Sequence, residues 1–158
     1  MKERESKLRV ESPAFLQGKS IPARYTADGR DVSPALSWSG VPPGARSLAL
    51  VCEDPDAPRG TWIHWVLYDI PPSVTSLPEG VPPREKAPGL GTPGKNDFGS
   101  LGYGGPAPPS GTHRYFFRLY ALDRSLSLAA GATAGELRRA MEGHVLAQGE
   151  LMGTYSRR

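Results

Sequence analysis

Apolar and polar side chains alternate in steps of two along much of this chain, a period that pleated strands present and helices do not. Thr61 to Ile70 and His113 to Leu122 read as long buried strands, Ser47 to Cys52 as a short apolar one, and Leu36-Ser37-Trp38 as a brief alternating segment. Turn signals at Ala27-Asp28-Gly29, Pro42-Pro43-Gly44 and Pro71-Pro72 separate them, and Glu150 to Tyr155 is a candidate last strand. The fold class expected is therefore mainly β, with one or two short helices. One helix is well marked: Thr133 and Glu136 form a capping box, Leu137, Ala140 and Met141 an apolar stripe, and Gly143 a stop.

The length of 158 residues suits one domain that buries roughly two thirds of the surface its unfolded chain exposes. We expect a charged, disordered tail over residues 1–10 and a single domain over 11–158. Cys52 is the only cysteine, so no internal disulfide is possible. The segment from Met1 to Lys7 is charged where a secretion signal needs an apolar run, and no apolar stretch approaches the ~20 residues that span a bilayer. Together these predict a cytoplasmic protein without a membrane span. The formal charge is +3, but residues 1–9 hold four basic and two acidic side chains and the chain ends in Arg157-Arg158. The body is therefore close to neutral and offers no footprint for nucleic acid.

From Ser73 to Gly111 runs a long Pro/Gly-rich connection. Connections of this length in a compact domain are usually functional or mobile. Within it, Gly89 to Gly94 satisfies G-x-G-x-x-G, and Gly89 to Lys95 satisfies the P-loop spacing up to its final position, where Asn96 stands. Both motifs require a preceding strand and a following helix. Pro82, Pro83 and Pro88 precede this one, Pro93 interrupts it, and Asn96-Asp97-Phe98-Gly99 follows, so nucleotide binding is not expected there.

Two of the three histidines sit in matching surroundings. Asp54-Pro55-Asp56-Ala57-Pro58 leads to Trp62-Ile63-His64-Trp65, and Pro106-Ala107-Pro108-Pro109-Ser110-Gly111 leads to Thr112-His113-Arg114-Tyr115. In each, a rigid loop feeds a strand that begins with a histidine beside an aromatic. Strict alternation groups Trp62, His64, Val66 and Tyr68 on one face and Ile63, Trp65 and Leu67 on the other; in the second strand it groups His113, Tyr115 and Phe117 against Arg114, Phe116 and Arg118. The expectation is one polar pocket at a sheet end where the two imidazoles converge.

These motifs resemble the signature of the phosphatidylethanolamine-binding protein family. The segments Gly143-His144-Val145-Leu146-Ala147 and Gly149-Glu150-Leu151-Met152-Gly153-Thr154-Tyr155 are similar to its bacterial branch, the Raf kinase inhibitor-like proteins. The resemblance runs from about Ser12 to Tyr155. It implies a Greek-key β-sandwich of two antiparallel sheets with a small anion pocket at one end. By position, it assigns to that pocket Asp54, Trp62, His64, His113, Tyr115, the rim prolines Pro108 and Pro109, and the loop residues Gly105 and Pro106, with Asp56 fixing a loop. It also suggests a homodimer. Three departures are visible: Ile63-His64 stands where animal members have adjacent histidines, Ala107 replaces a cysteine common in bacterial members, and the C-terminal helix of animal members is not matched.

A phosphate or carboxylate needs several donors in a partly dry place, and imidazole N–H, the Tyr115 hydroxyl and backbone N–H groups supply them. Asp54 would repel such an anion, so it is expected to accept a hydrogen bond from His64, His113 or Tyr115 and to favour the charged imidazole. The function expected is binding of a small anionic ligand, with possible regulation of a protein partner. The alternatives are an inhibitor that docks on a kinase or protease, and a weak hydrolase using Asp54, His64 and His113 with Ser110 or Cys52 as nucleophile. Neither a G-x-S-x-G elbow nor H-E-x-x-H occurs, so neither a catalytic residue nor a metal or other cofactor is expected. His144 is read as a cap near the helix C-terminus.

Overall fold

The computed structural model describes residues 6–83 and 89–157. In chain order its strands are β1 (Ser6–Lys7), β2 (Arg9–Glu11), β3 (Leu36–Ser39), β4 (Ser47–Asp54), β5 (Trp62–Ile70), β6 (Ser76–Leu77), β7 (Thr92–Pro93), β8 (Gly111–Leu122) and β9 (Val145–Arg157), with one helix, α1 (Ala134–Met141), before β9. A single 3-10 turn covers Ala23–Tyr25. Six strands form one sheet in the order β1-β9-β8-β4-β5-β7, and β2-β3-β6 form a second. The pairings are antiparallel except at the edge, where the two residues of β1 run parallel to β9.

Burial follows the strand period. Leu48, Leu50 and Cys52 of β4, Tyr115, Phe117 and Leu119 of β8, and Leu36 and Trp38 of β3 fill the space between the sheets. Ala49, Val51, Val66 and Tyr68 face the other way and are covered by Leu137 and Met141 of α1. The helix starts where its sequence signals it: Thr133 accepts from the Glu136 N–H while the Glu136 carboxylate accepts from the Thr133 N–H. Gly143 follows the last turn in the left-handed region. His144 donates to Asp123 (2.8 Å) rather than to the helix carbonyls, while its own N–H caps Met141.

From Ser6 onward the stretch expected to be tail is strand instead. Lys7 and Arg9 point out while Leu8 and Val10 are buried in the inter-sheet core, and that alternation, hidden between charges, lets β1 and β2 join separate sheets. Residues 1–5 lie outside the described residues. The final strand begins five residues before Glu150, because β8 and β9 pair from Gly111–Arg157 to Leu122–Val145. The G-x-G-x-x-G segment places Thr92–Pro93 as edge strand β7 against β5, and no helix follows; Pro88 lies outside the described residues.

Candidate functional site

β4 ends in Asp54, and the loop after it is closed on itself and on β8. The Asp56 N–H donates to Asp54 Oδ1 (2.7 Å), and the Asp56 carboxylate accepts from the Arg114 backbone N–H (2.9 Å) and from its guanidinium (2.9 and 2.8 Å). That pairing holds the Asp56 pKa down at about 2. The second oxygen of Asp54 accepts from His113 Nδ1 (2.6 Å). Both carboxylate oxygens are thus engaged, and of the three partners anticipated for Asp54 it is His113 that takes the role.

His64 reaches the same place through a break in register. Cys52 pairs with Trp65 and Glu53 with Ile63, so His64 is an extra residue on β5. Such a bulge turns a side chain out of the strict alternation. Val66 and Tyr68 pack on the helix side as alternation requires, whereas His64 lies on the inter-sheet side with its ring 5.2 Å from that of Tyr115. The expected grouping of His64 with Val66 and Tyr68 is therefore corrected. Its Nδ1–H donates to the Gly104 carbonyl (2.7 Å), while the Gly104 N–H donates to the His64 carbonyl (2.8 Å). Burial is the main cause that lowers the His64 pKa below the ordinary imidazole value, opposed by the Gly104 carbonyl and the Asp54 charge.

The result is a cavity of about 220 Å³ lined by Asp54, Trp62, His64, Pro108, Pro109, His113 and Tyr115, together with Ala57, Pro58, Phe98 and Ala107. His113 stacks toward Tyr115 with ring centroids 6.5 Å apart, so the Tyr115 ring adjoins both imidazoles. Its hydroxyl is fully buried and has no hydrogen-bond partner among the described residues. Burial pushes its pKa far upward, which keeps it a neutral O–H. Each imidazole has its Nδ1–H committed to an acceptor, which fixes the tautomer of the neutral ring and makes Nε2 the nitrogen free for other chemistry.

Two expected site residues do not line the cavity. Gly105 donates its N–H to Asp31 Oδ1 (2.7 Å), and a Cβ there would fall 2.5 Å from that oxygen and from the Tyr25 carbonyl. Pro106 accepts from the Ala27 N–H. They anchor the proline loop from behind, and Arg157, paired with Asp28, donates to the Pro108 carbonyl from the end of β9 (3.3 Å). Four lining residues, Ala57, Pro58, Phe98 and Ala107, were not among the expected site residues, and of these Phe98 lies outside the motifs altogether. It lies in the long connection, its ring meeting Trp62 edge-on at 5.5 Å and His64 at 5.4 Å; the one clue was Asn96, a lone asparagine before Asp-Phe-Gly. Asn96 is buried and ties the loop by accepting from Phe98 and Ser100 and donating to Gly102. Of the two nucleophile candidates, Cys52 is buried in the core with its thiol pKa pushed well up, and Ser110 is exposed outside the cavity lining. Among the described residues no group of three or more His, Cys, Asp or Glu side chains has metal-site spacing, and no helix is long and apolar enough to cross a membrane.

A two-sheet β-sandwich with a buried aspartate, two histidines and a tyrosine around one small cavity defines a ligand-pocket protein. Comparison with known proteins gives the class a name: the family model for phosphatidylethanolamine-binding protein matches residues 11–156, and this chain belongs to that family. A UPF0098 protein of Methanothermobacter thermautotrophicus is 53% identical over 150 residues, covering 95% of this chain and 99% of that protein. Among solved structures, the phosphatidylethanolamine-binding protein homolog CT736 of Chlamydia trachomatis superposes with a TM-score of 0.88 at 42% identity, covering 96% of this chain and 99% of the other. YbcL of E. coli, described as a new member of the mammalian family, gives 0.88 at 31% identity, with 98% and 100% covered.

Proposed function

We propose that this pocket binds a small anion, a phosphate or carboxylate group, between His64, His113 and Tyr115. The observation that carries this reading is the Tyr115 hydroxyl, buried at the cavity lining and without a hydrogen-bond partner among the described residues. Leaving such a group unsatisfied costs on the order of 1–3 kcal/mol, a cost that a guest oxygen removes. Asp54 does not oppose the guest as a bare charge would, because its two oxygens already accept from Asp56 N–H and His113 Nδ1. The phosphate of a phospholipid headgroup, the ligand in the family's name, is one member of this chemical class.

Binding is coupled to protonation. Burial lowers the His64 pKa and so disfavours the charged ring, whereas a neighbouring anion favours it, so binding draws a proton to the ring and makes Nε2 a donor. Affinity therefore rises as pH falls toward and below the ordinary imidazole value of ~6.5. Calorimetric titration with sulfate, whose charge stays constant across the range, between about pH 5 and about pH 8 tests this. Proton uptake on binding and stronger binding at acid pH are expected; sulfate and phosphate both failing to bind, or binding equally at all pH values, would overturn it.

A further inference from the structure

The polar floor of the cavity does not account for its rim. Among the described residues three large apolar side chains are strongly exposed, Leu16, Trp62 and Phe98, and two of these border the same cavity, at 38% and 48% exposure. Exposed aromatics set side by side at a pocket mouth mark a contact surface rather than core. Phe98 is held there by construction. Its N–H is tied to buried Asn96 (2.9 Å), and its ring occupies the space that a side chain at position 104 would fill, a Cβ on Gly104 falling 2.5 Å from it. The same Gly104 carbonyl orients His64, so one loop sets both the imidazole and the aromatic rim.

We infer that the ligand carries an aromatic group attached directly to its anionic group, with Phe98 and Trp62 as the specificity-determining residues; this rests on the anion-binding reading of the pocket. The Trp62 and Phe98 rings stand at 71° to one another, a corner in which a third ring meets one of them face-on and the other edge-on, the arrangements aromatic quadrupoles favour. The distance between floor and rim fixes the attachment. His64 lies 5.2 Å from Tyr115 and 5.4 Å from Phe98, centroid to centroid, so the anion and the aromatic group are separated by about one ring width and leave no room for a long spacer. The volume agrees: a dry cavity of about 150 Å³ takes benzene, and this one measures about 220 Å³, enough for a ring and a small anion.

The test compares inorganic phosphate, phenyl phosphate and cyclohexyl phosphate on the full chain by calorimetry, the last two matching in carbon count but differing in aromaticity. Phenyl phosphate is expected to bind about two- to tenfold more tightly than cyclohexyl phosphate. That ratio should fall to about one in Phe98→Leu and Trp62→Leu, which keep apolar area but remove a ring. Phe98→Leu alters a half-exposed side chain, and its unfolding midpoint, measured alongside, shows that the variant is folded. Equal affinities for the two cyclic phosphates in the native chain, or a ratio that survives both substitutions, would overturn the inference while inorganic phosphate binding leaves the pocket's anion chemistry standing. Failure of all three phosphates to bind would remove both.

Discussion

Tyr115→Phe removes one oxygen from the site and leaves the ring that adjoins both imidazoles. In the native chain that oxygen is fully buried without a hydrogen-bond partner among the described residues, a burden of about 1–3 kcal/mol. Taking the lower end of that range, the variant is expected to gain about 1 kcal/mol, a rise of about 2–4 °C in unfolding midpoint for a domain of this size. The same oxygen donates a charge-assisted hydrogen bond to a bound anion, worth about 1.5–3 kcal/mol, and its loss weakens phosphate by about tenfold to a hundredfold. The two effects oppose each other and produce a crossover. At a phosphate concentration about 100 times the native Kd, the native chain gains about 2.7 kcal/mol, whereas a variant weakened about thirtyfold gains about 0.9 kcal/mol. Tyr115→Phe should therefore unfold at higher temperature than the native chain in phosphate-free buffer and at lower temperature in saturating phosphate, as read by scanning calorimetry. A variant that is less stable without phosphate would show that the hydroxyl has a partner in the folded chain; unchanged phosphate affinity would place it outside the site.

The remaining predictions concern the groups around that hydroxyl. Because burial holds the His64 pKa below its unfolded value, the unfolded chain binds the proton first, and the His64 contribution to stability is present above ~6.5 and lost as pH falls through the folded value. Urea midpoints measured across that window should fall more steeply for the native chain than for His64→Gln, and parallel slopes would contradict the assignment. Asp56 behaves as a lowered carboxylate with a pKa of about 2: its contribution is intact above the unfolded value of ~3.9 and disappears as pH drops toward about 2. Asp56→Asn should cost about 1 kcal/mol or less, since the Arg114 pair is partly exposed, yet reduce phosphate affinity through release of the 54–60 loop; calorimetric titration showing native affinity would restrict Asp56 to a structural role.

What the sequence made legible was whatever obeys a fixed period or a local cap. β4, β5 and β8 follow their alternation, and the capping box at Thr133 needs only residues three positions apart. Convergence of His64 and His113 on one cavity was legible too, because each follows a proline-rich loop and begins a strand. The placement of His64 was harder to see. Its bulge against Cys52 and Glu53 depends on the partner strand, and alternation alone assigns it to the wrong face. Phe98 was invisible for a related reason: it belongs to no periodic segment, and its position depends on Asn96 and on the absence of a side chain at Gly104. Gly105 and Pro106 were drawn into the site by their motif, whereas their backbone groups are spent on Asp31 and Ala27.

The two faces of the large sheet divide the work of stability and binding. On the helix side, Val51, Val66, Leu122 and Leu137 are fully buried among apolar neighbours, and Arg138 of α1 with Arg118 of β8 closes over the Glu53 carboxylate (2.9 and 2.7 Å). Glu53 and Asp54 are adjacent on one strand, so the pleat sends one carboxylate to that arginine pair and the next to His113. The first is held by one arginine from the sheet and one from the helix, both donating to its Oε2. The second belongs to a cluster that also contains a buried imidazole whose pKa burial lowers and a hydroxyl with no hydrogen-bond partner among the described residues, groups that cost the fold stability and that the proposed anion would satisfy. A core selected for stability alone would place leucine or phenylalanine at positions 64 and 115. The bulge and the two anchored loops hold these polar side chains toward a common cavity, and on the proposed anion-binding reading the stability forgone in the free chain is regained on binding.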